Sequence, residues 1–150
     1  MSLLINKIFV LKTLYTFVLL FVVIKGHGQS NLVDNKNQKL IWADEFNVDG
    51  TPDSSKWIYD IGTGDWGWGN NEAQYYTSRA DNVKVQNGIL KITTLKENYN
   101  GSNYTSARIK TQGKFTFKYG KVEIKAKLPS GKGTWPALWM LGDNKGELNW

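Results

Sequence analysis

Cysteine is absent, and histidine occurs once, as His27. Without cysteine there is no disulfide framework, no thiol nucleophile and no thiol to carry a lipid anchor. With no histidine beyond residue 27, a Ser-His-Asp triad, a Cys-His pair and the common zinc ligand sets are missing from the body of the chain. Acid–base chemistry there must come from carboxylates, tyrosine or lysine. Long helical periodicity and internal repeats are absent too.

The N-terminus reads as a secretory leader. Lys7 and Lys12 supply positive charge, Leu14–Ile24 is an unbroken apolar run, and Gly26-His27-Gly28 offers small residues before a cut at Gly28–Gln29. The uncharged stretch 13–24 is 12 residues long, short of the roughly 20 needed to cross a bilayer. Residues 1–28 are therefore expected to be a signal peptide outside the fold, 29–39 a polar, flexible lead-in, and 40–150 a single domain. Export implies a secreted, periplasmic or extracellular protein with no membrane contact after cleavage. Removing Lys7, Lys12 and Lys25 lowers the formal charge from +6 to +3. The other lysines are scattered over strand faces, which argues against nucleic-acid binding.

The rest reads as short strands. Lys121–Leu128 alternates strictly: Val122, Ile124, Ala126 and Leu128 face one way and Lys121, Glu123, Lys125 and Lys127 the other. Leu40–Phe46 and Trp57–Ile61 are shorter candidates, with turn chemistry in Thr51–Ser55 between them. Asn82–Gln86 and Ile89–Lys96 make a hairpin about Asn87-Gly88, the pair a type I′ turn requires. Glu97–Asn103 reads as a loop, Thr105–Thr111 and Lys114–Tyr119 as a hairpin about Gln112-Gly113. Thr134–Leu141 reads as a strand with Trp135, Ala137, Trp139 and Leu141 on one face. About eight short strands punctuated by turns indicate an all-β sandwich or barrel. Gly62–Gly67 matches G-x-G-x-x-G literally. Trp68, Gly69 and paired asparagines follow it where a dinucleotide fingerprint needs a helix, so the match is a false lead, better read as a flexible rim.

Five motifs occur in order: IWADEF, PDSSKW, WGNNEAQYYT, TSARIKTQGKF and YGKVEIKAKLPSGKGTWPALWML. Together they resemble glycoside hydrolase family 16, specifically its laminarinase-like β-1,3-glucanases, from about Leu40 to Trp150. The resemblance implies a concanavalin-like β-jelly-roll of two antiparallel sheets, incomplete at the C-terminus, with substrate across the concave face. It implies a retaining endo-β-1,3- or β-1,3/1,4-glucanase with β-glucan as its polymeric partner. Two glutamates about 5–5.5 Å apart would act as nucleophile and acid/base. The family carries them in Glu-x-Asp-x-x-Glu, a motif absent from these 150 residues. No catalytic residue is therefore assigned, and residues 29–150 alone are expected to be inactive.

Flat pyranose faces suit tryptophan. The resemblance assigns Asn71, Arg108, Trp135 and Trp139 to the wall of the negative subsites, while Trp42 and Trp57 read as core. Trp139 keeps both readings, core and sugar platform. Glu72 either contacts substrate or bonds local backbone amides, the latter being commoner for loop acids. Asp44 and Glu45, adjacent on a strand, point to opposite faces and cannot flank one bond. No cofactor is required for this chemistry. The family's structural calcium would use Glu45 and the Gly88 carbonyl here, with a third ligand past residue 150. Two rivals share these features: a non-catalytic β-glucan-binding module on the same scaffold, and a family member acting on an agarose- or carrageenan-type galactan.

Overall fold

The computed structural model describes residues 2–13 and 38–143. Among these, ten strands carry the fold: β1 Ser2–Thr13, β2 Gln38–Asp44, β3 Ile58–Asp60, β4 Gln74–Tyr76, β5 Val83–Gln86, β6 Ile89–Thr93, β7 Leu95–Tyr99, β8 Ser102–Ser106, β9 Arg108–Lys110 and β10 Lys121–Lys127. The all-β jelly-roll expectation stands. The ladders divide into three hydrogen-bonded sets rather than two: β10-β1-β6-β5 with β2 also on β1, β3-β9, and β4-β8-β7. One pair, β4–β8, is parallel. No helix among the described residues is long and apolar enough to cross a membrane.

Asn87 and Gly88 both take positive φ (54° and 71°) and close the β5–β6 hairpin, as the Asn-Gly signal requires. Asn100-Gly101 does the same (45° and 83°), so Glu97–Asn103 is not a loop but the turn of the β7–β8 hairpin. The hairpin expected about Gln112-Gly113 does not form. β9 pairs instead with β3, where Asp60 meets Arg108 and Lys110, and residues 112–114 are a turn closed by Lys114 N donating to Thr111 O (2.9 Å). Phe115, past that turn, stacks on Trp42 and Phe117, with centroids 5.5 and 6.0 Å apart. Thr134–Leu141 takes no regular secondary structure and is not a strand. No described strand pairs with it, and alternation does not make a strand without a ladder partner.

The largest departure is at the N-terminus. In the intact chain Ser2–Thr13 lies inside the fold, where the sequence had set all of 1–28 apart; residues 14–37, with the apolar run and the cut position, lie outside the described residues. One edge of β1 pairs with β10 and the other with β6 and then β2. A register shift between Ile5 and Lys7 changes the phase of the strand, so that Leu3 and Ile5, then Ile8 and Val10, are all buried. Leu3, Ile5 and Ile8 join a core of Phe46, Trp57, Val83, Val85, Leu90 and Ala107, against which Tyr59 of β3 and Ile109 of β9 pack. Apolar alternation with a bulge satisfies a central strand as well as it satisfies a leader.

Beneath the β4-β8-β7 set lies a buried polar network. Asn82, fully buried, accepts from Thr77 Oγ1 (2.5 Å) and Arg79 Nη2 (3.1 Å) and donates to Thr93 O (3.1 Å) and Thr105 Oγ1 (2.9 Å). Arg79 also pairs with Glu97, which accepts from Thr105. These bonds from Arg79 and Thr105 hold the Glu97 carboxyl below its ordinary range. A depressed carboxyl contributes stability above the unfolded-state value near 4.5 and loses it as pH falls through the lower folded value. In urea midpoints between pH 3 and 6, Glu97→Gln is expected to show a shallower acid decline than the parent. Equal slopes would remove Glu97 from the acid limb.

Candidate substrate-binding site

Residues 62–76 form a loop tied at both ends. Gly62 and Tyr76 exchange backbone hydrogen bonds (3.0 and 2.9 Å), and Glu72 N donates to Gly67 O (3.1 Å) across the turn Gly67–Asn71. Trp66, Trp68 and Asn71 all adopt left-handed backbone (φ 53°, 57° and 56°). For bulky side chains this costs roughly 1–3 kcal/mol each and persists only where the surroundings enforce it. The result turns Trp66 out to solvent (91% exposed) and Trp68 inward over Gly64, where a Cβ would lie 2.5 Å from its ring.

The inward ring has a partner. Trp68 lies with its centroid 4.6 Å from the Arg108 guanidinium, and Trp139 covers Arg108 at 5.0 Å. Arg108 is anchored from below: its Nε is 3.0 Å from Asp60 Oδ2, an ion-pair contact without hydrogen-bond alignment, and Lys110 Nζ is 2.5 Å from Asp60 Oδ1. A buried carboxylate with two cations thus fixes the base of a ring–guanidinium–ring stack. Trp68 also leans on Tyr76, with centroids 5.7 Å apart.

Glu72 sits at the edge of this stack. Its Oε2 accepts from Gln74 Nε2 (2.6 Å) and Tyr76 OH (2.7 Å), and its Oε1 from Asn70 Nδ2 (3.2 Å). It bonds neighbouring side chains, not the backbone amides expected of a loop acid. Burial, then the bond to Glu72, push the Tyr76 phenol far above its ordinary range, so it remains a donor at any working pH.

The structure therefore brings Arg108 and Trp139 together and leaves Trp135 (72% exposed) and Asn71 (exposed) outside the stack. Tyr76 and Asp60 join this cluster without having been singled out in the sequence, whereas Trp68 lay in the loop read as a flexible rim and Glu72 was read as either a substrate contact or a local bond. The tryptophan-rich glycine loop signalled Trp68, but nothing local revealed Asp60, which reaches Arg108 only through β3–β9 pairing. Asp44 is buried and accepts from Trp57 Nε1 (2.7 Å), while Glu45 pairs with Lys7 (3.2 Å). No three His, Cys, Asp or Glu side chains cluster among the described residues.

The turn gives a clean test of strain. Both Gly67 and Gly69 have positive φ (58° and 77°), but only at Gly67 would a Cβ meet backbone, 2.5 Å from Glu72 N. Gly69→Ala is expected to cost about 1–2 kcal/mol, and Gly67→Ala roughly 1–3 kcal/mol more. Urea denaturation followed by tryptophan fluorescence would show it; equal costs would mean that the close approach is unimportant.

A family model described as "Beta-glucan synthesis-associated protein SKN1/KRE6/Sbg1" matches residues 25–146. A "Beta-glucanase" of Rhodothermus marinus is 53% identical over 108 residues, covering 71% of this chain and 37% of that protein. "Glucan endo-1,3-beta-glucosidase A1" of Niallia circulans is 45% identical over 115 residues, covering 68% and 17%. The crystal structure of a laminarinase from Flavobacterium sp. UMI-01 superposes with a TM-score of 0.62 at 44% identity, covering 75% of this chain and 47% of that one. The chain spans 37% and 17% of the length of those two curated relatives. Matching motifs, sheets and sequence together place this chain in glycoside hydrolase family 16, among its laminarinase-like members.

Proposed function

We propose that this chain forms one wall of the sugar-binding cleft of an exported, retaining endo-β-glucanase acting on β-1,3- or mixed β-1,3/1,4-glucan. The observation that carries the reading is the stack of Trp68, Arg108 and Trp139 beside the exposed ring of Trp135. Trp139 is 56% exposed and Trp135 72% exposed, so both present apolar faces to which pyranose C–H groups can dock. Stacking and the Asp60 contact orient the Arg108 fork toward hydroxyls at the edge of a bound ring. Relatives named as β-glucanases support glucan over galactan.

Hydrolysis needs a carboxylate pair that these 150 residues do not contain as Glu-x-Asp-x-x-Glu. The expected behaviour of this chain is binding without cleavage. Calorimetry of the full chain with laminarihexaose, with agaro-oligosaccharide as the control, tests the reading. Binding of the laminari-oligosaccharide alone, abolished in Trp139→Ala, is the expected result. Preference for the galactan, or release of reducing sugar by pure protein, would overturn it.

A further inference from the structure

We propose that the outer face of the β4-β8-β7 set is a further sugar subsite, with the Tyr104 ring as its platform and Gln74 and Lys96 at its flanks. Its ligand is a distal glucose residue of the same β-glucan chain that docks at the Trp68–Arg108–Trp139 stack. The subsite thus rests on the functional reading above and extends it.

Strand phase carries one face from the stack to Tyr104. Thr105 and Ala107 are buried and Ile109 packs against the core, so Tyr104, Ser106 and Arg108 project from the opposite side. Register brings the flanking strands onto that side. Gln74 and Lys96 lie beside Tyr104, and Tyr76 lies beside Ser106, whose hydroxyl meets that of Thr94 at 3.2 Å. Two rows result. The inner row, Tyr76-Ser106-Thr94, adjoins the stack because Tyr76 leans on Trp68. The outer row, Gln74-Tyr104-Lys96, lies one step beyond. At about 3.3 Å per residue, Tyr104 stands roughly 13 Å along the strand direction from Arg108. A single sugar ring cannot touch both; an oligosaccharide can.

The chemistry of this face suits a sugar and not a packing partner. None of Gln74, Tyr76, Thr94, Lys96, Tyr104 and Ser106 is aliphatic, whereas a sheet face that buries against another layer is apolar. Covering it with further strands would leave polar groups unsatisfied, so the exposure of Tyr104 (39%) belongs to the face itself. A phenol ring offers a flat surface to pyranose C–H groups. Glu72 fixes the Gln74 amide through Nε2 (2.6 Å), which leaves Oε1 to accept from a hydroxyl. The Lys96 ammonium supplies donors on the other flank. Beside it the surface opens into a depression of about 400 Å³, lined by Lys96, Glu97, Asn98, Asn103 and Tyr104, where a longer chain can continue.

Titration of the full chain with laminaribiose and laminarihexaose, followed by tryptophan fluorescence, tests this. Tyr104→Ala is expected to lower the hexaose-to-biose affinity ratio about 10-fold, and Lys96→Ala about 3-fold. Tyr104→Phe, which keeps the ring, should hold the parent ratio. An unchanged ratio in both alanine variants, or a loss shared equally by the two sugars, would overturn the outer subsite and leave the stack standing. Failure of the parent chain to bind either sugar would instead remove the functional reading, and this subsite with it.

Discussion

Arg108→Ala is expected to weaken laminari-oligosaccharide binding by about 30-fold. Two ring contacts are lost, each worth roughly 0.5–2 kcal/mol, and a total near 2 kcal/mol corresponds to about that factor. The same change leaves Asp60, 8% exposed, with Lys110 as its remaining cation, so stability should fall as well. Arg108→Lys separates the two effects. An ammonium restores charge beside Asp60 but offers no planar face to Trp68 and Trp139. Stability should therefore recover in the lysine variant while binding stays weak, measured by calorimetry and urea denaturation on the same preparations. A lysine variant that binds like the parent would show that charge alone matters and that the stack is incidental.

Trp57→Ala should have the largest effect on stability, about 3–5 kcal/mol for the lost side chain. Trp57 is buried, meets Trp42 edge-on at 5.6 Å and stacks on Phe46 at 6.4 Å. Its Nε1 also donates to the buried carboxylate of Asp44, which otherwise accepts from Phe46 N (3.2 Å) and Lys56 Nζ (3.3 Å). Trp57→Phe keeps most of the packing and removes that bond, and should cost about 1.5–3 kcal/mol, the range for hydrogen bonds to charged groups. Denaturation monitored by near-ultraviolet circular dichroism gives both values. A loss below about 1 kcal/mol in the alanine variant would place Trp57 outside the cooperative core.

What could be read in advance follows the range over which each signal acts. Asn87-Gly88 announced its hairpin because turn geometry is decided within four residues. Asn100-Gly101 carried the same signal, masked by the polar residues around it. Lys121–Lys127 was legible from period-two alternation, although Ile124 remains 37% exposed and only Val122 and Ala126 pack on the core. Thr134–Leu141 alternates as well and is not a strand, because alternation describes a face while a strand also needs a neighbour.

By itself the sequence determined the all-β class, the Asn87-Gly88 turn, the core role of Trp57 and the family, all of which rest on local spacing or on motifs. Only the tertiary structure decided that Asp60 anchors Arg108, that Trp68 and Trp139 stack on it, and that Ser2–Thr13 is a central strand. Those outcomes depend on pairings between residues as much as 123 positions apart, such as Leu4 with Lys127. A strand's partner is chosen by which edges and apolar faces remain to be covered once the rest has folded, and no local pattern records that choice.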